Sequence, residues 1–356
     1  MLPPRNPAEF AQEVEAARQA NKYVQLSRLH TLLYWFPESV LTFRALLVRV
    51  RAKEPPALLQ QHAWKARCAV QGSRDVRRLV AILDEDYLRW SEDKVLEEGG
   101  RFGPFVVRLA RMMVIELRHR EALMNGDRRR LENNWEEFQP RVKAVIHEFL
   151  VALGDLRGQK PDRLHLTPVR DQLFVYLPAA PRDSPFQSTE NHGSFFHSPV
   201  RRGARDGPHV SHCSITVTTN RTIEDGRIVK LDRTYAEEFS LLYGTICRLE
   251  ERRRVVARRV ERGEEEDGPS PWSSDSNHFV PLISVSFNRV YILIAEYDAA
   301  YWKFLATGNE TRETFLGVKE YGPFDLSDAD DVQALIIFVL AMIDALEDLW
   351  QIGTWN

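Results

Sequence analysis

Apolar positions along the chain fall into two regimes. Up to about residue 130 they recur at helical spacing, every three or four residues. Ala8–Lys22 is a polar amphipathic stretch, and Val24–Trp35 continues it with more apolar positions. Pro37 permits a new helical start at Glu38. That helix is expected to run to about Lys53, with Val40, Phe43, Leu47 and Val50 on one face, and Glu54-Pro55-Pro56 stops it. Leu58–Val70, Arg74–Leu96 and Pro104–Met124 are the next expected helices, separated by Gly72-Ser73 and Glu98-Gly99-Gly100. Asn125-Gly126-Asp127 marks a boundary. Residues 1–130 are expected to form a helical N-terminal region and residues 131–356 a second unit, opened by a helix over Leu131–Leu153 that Gly154 caps.

Beyond residue 164 the period shortens. Leu173–Leu177 is a short apolar run typical of a buried strand, closed by Pro178, which has no N–H for a ladder. Residues 178–209 are rich in Pro, Ser, Gly and His and predict a long loop. Ser214–Thr219 alternates as a β-branched strand, and Asp225-Gly226 reads as a turn. Tyr235–Val260 predicts a long helix that becomes strongly basic, followed by an acidic loop over Glu264–Asp275. Strands are expected at Leu282–Phe287 and Val290–Glu296, with a further one near Phe315–Glu320 and a last helix from about Asp328 to Leu349. The whole predicts an α/β protein with a mixed sheet flanked by helices and an N-terminal helical region.

Composition narrows the functional classes. With 44% hydrophobic and 28% charged residues over 356 positions, the chain can bury a sizeable core. A net charge of −3 makes no global case for nucleic-acid binding. The N-terminus has no apolar signal core, and no uncharged run is long enough to span a bilayer: Val332–Leu349 is interrupted by Asp344, Glu347 and Asp348. Three widely spaced cysteines offer no disulfide framework, so an intracellular location, nuclear or cytoplasmic, is expected, with no membrane association.

A family resemblance rests on seven collinear pieces between about residues 130 and 350. Trp135 and His147 lie on the opening helix, Asp171–Leu177 is an Asp-led strand ending in Tyr-Leu, and Asn191-His192 follows. Ile215–Arg221 is similar to an Ile-Glu-Thr-Lys-Arg strand, and Tyr243-Gly244-Thr245 to a Leu-Gly-Thr element. Phe279–Ile283 resembles a Pro-Leu-Ile opening, and Tyr321-Gly322 with the closing helix a Phe-Gly and last helix. In these features the chain resembles the fungal PD-(D/E)XK nuclease-like domains, which implies that fold for residues 131–356.

The chemistry implied by the resemblance needs a metal-activated water, magnesium held by an Asp and a Glu from neighbouring strands, and a lysine two residues beyond the Glu on the same face. This chain departs from it. Thr218 and Asn220 stand where Glu and Lys are implied, and Gln172 stands at the Asp position with Asp171 one residue away, on the opposite face of a regular strand. The only literal Glu-x-Lys, Glu92-Asp93-Lys94, sits in a helical pattern outside the resembling region. A catalytically inactive nuclease-like fold that serves as a binding or scaffolding module for a protein partner is therefore the leading expectation, with no cofactor.

Two alternatives are carried forward. One is an active magnesium-dependent nuclease that uses Asp171 with a displaced carboxylate among Glu190, Asp206, Glu224, Asp225 and Asp232. The other is a nucleic-acid-binding module without cleavage. It would bind through Arg201, Arg202 and Arg205 with Arg252, Arg253, Arg254, Arg258 and Arg259, and the chain has a further basic run at Arg128-Arg129-Arg130. Against that use, cations suit the C-terminal end of a helix, and Glu264–Asp267 follows directly. His192, His197, His209 and His212 with Cys213 have spacings that fit no structural-zinc pattern.

Overall fold

The computed structural model describes residues 24–28, 44–50, 53–125, 128–158, 164–167, 172–175, 187–197, 210–217, 221–224, 227–230, 232–262, 278–297 and 316–349. Its strands are β1 (Val24–Arg28), β2 (Arg44–Val50), β3 (His165–Thr167), β4 (Gln172–Val175), β5 (Gln187–Glu190), β6 (Gly193–His197), β7 (Val210–Val217), β8 (Arg221–Glu224), β9 (Arg227–Lys230), β10 (His278–Ser286), β11 (Arg289–Tyr297) and β12 (Leu316–Asp325). Its helices are α1 (Gln60–Gly72), α2 (Arg74–Leu83), α3 (Glu92–Gly99), α4 (Gly103–Met124), α5 (Arg128–Arg157), α6 (Asp232–Glu261) and α7 (Ala329–Leu349). Eight strands form one mixed sheet in the order β1-β2-β12-β11-β10-β7-β6-β3, while β4-β5 and β8-β9 are separate two-stranded ribbons. The protein is α/β, and no helix among the described residues is long and apolar enough to cross a membrane.

The sheet has two covered faces, because its central strands are apolar nearly throughout. Every residue of β10 is buried. One face presents Cys213, Ile215 and Val217 of β7, Ile283 and Val285 of β10, and Ile292 and Ile294 of β11 to the main core, where α5 and α7 pack. The other face is covered by α6, which also touches β4 and β5. Helix α7 is apolar almost all round, as a helix enclosed on every side must be: it lies between β12 and the outer helices α1 and α2. Phe338 of α7 packs on Tyr321 and Phe324 of β12 at ring distances of 5.1 and 6.0 Å. Phe138 of α5 stacks 4.0 Å from Phe287 in the β10–β11 turn. At the β12 bulge Gly322 has φ +107, and a Cβ there would stand 2.9 Å from the Val290 carbonyl oxygen.

Polar fastenings close the helical layers. Arg157, at the end of α5, donates to Asp344 at 2.8 Å and Glu347 at 2.6 Å on α7, while Glu347 also accepts the Leu164 amide at 2.8 Å. Asp331 on the first turn of α7 accepts from Lys53 and from the Asp325 amide, the latter at 2.9 Å. Burial first, and the nearby Asp325 carboxylate second, push the Tyr87 hydroxyl up to about 12.

Several expected elements are corrected. Val24–Arg28 and Arg44–Val50, assigned to helices by periodicity, are strands of the main sheet: β2 runs parallel to β12, with Val48 opposite Lys319. A run as short as Leu46-Leu47-Val48 fits either period, and pairing decides it. The expected helix Arg74–Leu96 is α2, a short 3-10 turn over Tyr87–Arg89, and α3, restarted by Ser91, which accepts the Lys94 amide. Gly154 lies inside α5 rather than capping it, and Gly158, with φ +74, takes the left-handed position at its end. The loop expected over 178–209 contains β5 and β6. The expected stretches at 8–22 and 29–43 and the acidic loop at 264–275 lie outside the described residues.

Candidate functional site

The strand order places the start of β6 beside the end of β7, with Gly193 opposite Ile215. Residues 191 and 192 lead into β6, and their contacts lie on opposite sides of the sheet: Asn191 meets Ser214, and His192 stands beside Ile215 and Val217. On the α6 side Asn191 is fully buried and donates from Nδ2 to Ser214 Oγ at 3.4 Å. Thr245 on α6 donates its hydroxyl to the Leu241 carbonyl at 2.8 Å, so it accepts from Ser214 Oγ, 3.1 Å away. The result is a directed chain from Asn191 through Ser214 and Thr245 to the helix backbone. Tyr243-Gly244-Thr245 thus acquires a structural meaning, since Thr245 locks α6 to β7.

On the other side His192 bridges the gap between β6 and β7. Its backbone N–H donates to Ile215 O at 2.7 Å, and its Nδ1 accepts the Val217 N–H at 2.9 Å. An imidazole nitrogen that accepts carries no proton, so the neutral ring bears its proton on Nε2. Nε2 stands 3.3 Å from the Gln139 amide group, and that proton requires the Gln139 oxygen to be the atom facing it. His192 therefore extends the ladder with a side chain where the strand backbone has no partner.

Beside it lies a cleft of about 60 Å³ between α5 and the β3-β6-β7 corner. Lys143 and His147 of α5, four residues apart on one helix face, form its polar wall with His192. Ile146, Leu150, Leu166, Ile215 and Val217 form an apolar floor. His147 is half-buried, and its ring has no hydrogen-bonding or ion-pair partner among the described residues.

The residues singled out in the sequence are distributed as follows. Gln172 heads β4 directly opposite Glu190 of β5, in a ribbon that packs on α6 rather than beside β7. Asp171, Thr218 and Asn220 lie outside the described residues, as do Asp206 and Asp225. Glu224 ends β8, and Asp232 opens α6. Glu92 of the literal Glu-x-Lys holds Arg111 at 2.5–2.8 Å, and Lys94 stacks 3.5 Å over Trp90, so both serve the helical surface. His212 and Cys213 are successive residues of β7 and face opposite ways. Cys213 is in the main core, where burial pushes its thiol far up. His197 ends β6, and His209 is outside the described residues. Among the described residues no three His, Cys, Asp or Glu side chains gather as a metal site would require.

The arginine-rich segment holding Arg252, Arg253, Arg254, Arg258 and Arg259 is the last third of α6, preceded by buried Glu250, which accepts from Tyr297 at 3.3 Å. Tyr297 pairs with His278 at the start of β10, whereas Val217 pairs with Val285 near its end. Seven residues of strand, roughly 23 Å, separate the two places. The arginines and the cleft therefore stand at opposite ends of the sheet. Arg201, Arg202 and Arg205 lie outside the described residues, and Arg128-Arg129-Arg130 opens α5.

Sequence reading missed Lys143, Gln139 and Glu238. The first had a signal, the Lys143/His147 spacing; the others need the packing. Glu238 of α6 is fully buried and accepts the Ser284 hydroxyl across from β10. The architecture and the site define the chain as an α/β protein with a mixed eight-stranded sheet. Comparison with family models, with curated proteins and with solved structures finds no match.

Proposed function

We propose that this protein is a non-catalytic binding module on a nuclease-like fold, with a protein as its partner. One observation carries the reading. Metal-dependent phosphodiester hydrolysis needs carboxylates on neighbouring strands, and neither neighbour of β7, β10 or β6, carries one; beside the end of β7 comes the entry to β6. What its entry presents there is the amide of Asn191 and the imidazole of His192, both engaged in the hydrogen bonds that hold β6 to β7. Thr218 and Asn220 in place of Glu and Lys, directly after β7, point the same way. Further support comes from the order α5, short strands, β7, α6, the β10–β11 pair and α7, which follows the resembling pieces from residue 131 onward. A protein partner is favoured over nucleic acid because, among the described residues, the cleft and the arginine segment lie at opposite ends of the sheet and not along one track that a phosphate backbone would follow.

Glu238 favours a second reading, a magnesium-dependent nuclease with a displaced carboxylate. It reaches Ser284, which is the register partner of Thr216 on β7. Its full burial and its bond to Ser284 suit a fastening of α6 to β10 better than an ion site open to substrate. Incubation of the protein with single- and double-stranded DNA and RNA, with magnesium or manganese, separates the readings. No cleavage is expected. Cleavage that disappears in Asp171→Ala or Glu238→Gln would establish the nuclease instead.

A further inference from the structure

Among the described residues Phe287 is the only non-glycine with a positive φ, at 60. It opens the two-residue turn between Ser286 and Arg289, the last register pair of β10 and β11. A positive φ in such a turn is ordinarily supplied by glycine, because in the left-handed region a Cβ crowds the following carbonyl oxygen. Asparagine and aspartate tolerate the region through local hydrogen bonds, and a phenylalanine side chain can make none. The conformation is therefore held from outside the turn.

Two sets of contacts hold it. On one side Asn288 is fastened to the end of β12: its carbonyl oxygen accepts the Leu326 N–H at 2.7 Å, and its Nδ2 donates to Asp325 at 2.8 Å. On the other side the Phe287 ring stacks on Phe138 of α5, with 4.0 Å between centroids and both residues fully buried. With Asn288 held, a change of φ to a negative value would redirect the Phe287 side chain and empty the space it fills against α5, which a close-packed core resists. Phe138 is followed directly by Gln139, whose side-chain amide stands 3.3 Å from Nε2 of His192. One seating of α5 on the sheet thus brings Phe138 to the turn and Gln139 to the β6–β7 corner.

We propose that the β10–β11 turn is a strained clamp that α5 closes: Phe287 stays left-handed only while Phe138 covers it, and the Phe138–Phe287 stack and the Gln139–His192 contact are made and broken together. Lifting α5 lets the turn relax, so the strain stored at Phe287 favours release of the helix that walls the cleft. The clamp is independent of whether the fold cleaves phosphodiesters or binds a protein.

The test is NMR on the isotope-labelled full chain, comparing the parent with Phe138→Ala, Phe138→Leu and Phe102→Leu. The sign of φ at Phe287 is read from its amide–α-proton coupling and intraresidue contacts, and the Gln139–His192 contact from the His192 Nε2 resonance. In the parent φ should be positive. In Phe138→Ala it should turn negative and the His192 Nε2 signal should shift; Phe138→Leu, which keeps an apolar cover, takes its place should the alanine variant not fold. Phe102→Leu thins the packing of the same helix elsewhere, at Phe149, whose ring lies 6.3 Å from that of Phe102. It should leave both readouts unchanged. A negative φ in the parent overturns the clamp, as does a positive φ that persists in the most truncated Phe138 variant that folds. A His192 signal that stays in place while φ changes sign, or an equal response to Phe102→Leu, overturns the coupling and reduces the stack to ordinary core packing.

Discussion

Replacing His192 with alanine removes the acceptor of the Val217 amide, and the structure sets the size of the effect. Val217 is only 3% exposed, so little solvent can replace the lost Nδ1. A buried donor left unsatisfied costs about 1–3 kcal/mol, and the missing ring packing in the cleft wall adds to that. Asparagine places a side-chain oxygen near the position of Nδ1, so His192→Asn should recover most of the hydrogen-bond contribution while losing the Gln139 contact. The readout is amide hydrogen exchange at Val217, because it reports the bond itself rather than global unfolding. At 1.4 kcal/mol per factor of ten, exchange in His192→Ala should quicken by about 5- to 150-fold, with His192→Asn within a few-fold of the parent. Unchanged exchange in the alanine variant, or equal acceleration in both, would refute the role assigned to His192.

Arg157→Ala strips the positive partner from Asp344 and Glu347, and Arg157 is only 9% exposed, so a loss of about 3 kcal/mol in urea unfolding is expected. A change below about 1 kcal/mol would mean solvent replaces it. The raised Tyr87 hydroxyl means that between pH 10 and about 12 the unfolded chain loses this proton while the folded one keeps it. Stability should therefore fall with rising pH across that window, by ~2–3 kcal/mol in total, and Tyr87→Phe should remove this part of the slope when compared with the parent. Duplex DNA should bind weakly and with little dependence on Arg252, Arg253, Arg254, Arg258 and Arg259. A tight complex at physiological salt, with a log–log salt slope of roughly −4.5 that flattens on their replacement by glutamate, would make these arginines the phosphate contacts.

How much was legible in the sequence depended on whether local pattern and tertiary pairing agreed. The α6 and α7 helices and the β10–β11 pair were readable because each carries a long, consistent period or two β-rich runs around a short turn. β1 and β2 were not, since Val24–Arg28 and Arg44–Val50 are short enough to fit a helix face and are decided only by pairing with each other and with β12. β5 was hidden by its composition: Gln187-Ser188-Thr189-Glu190 is polar and gains its strand character from β4. For the site, Asn191-His192 stood out as a motif, but its meaning required the register that puts Gly193 opposite Ile215. Lys143 and His147 could be seen to share a helix face, whereas the strands that complete their cleft come from 19 and more residues further on. The Gln172 placement was the least legible, because a strand pattern does not say which strand lies next to it.

The most direct test of a binding fold without a hydrolytic metal centre is manganese affinity. Titration of the parent protein with Mn²⁺, followed by the solution electron paramagnetic resonance signal of the free ion, should show that signal growing in proportion to added metal, with no saturable loss. Saturable loss of signal corresponding to one ion per chain, abolished in Glu238→Gln or Asp171→Ala, would contradict the account and identify a metal centre.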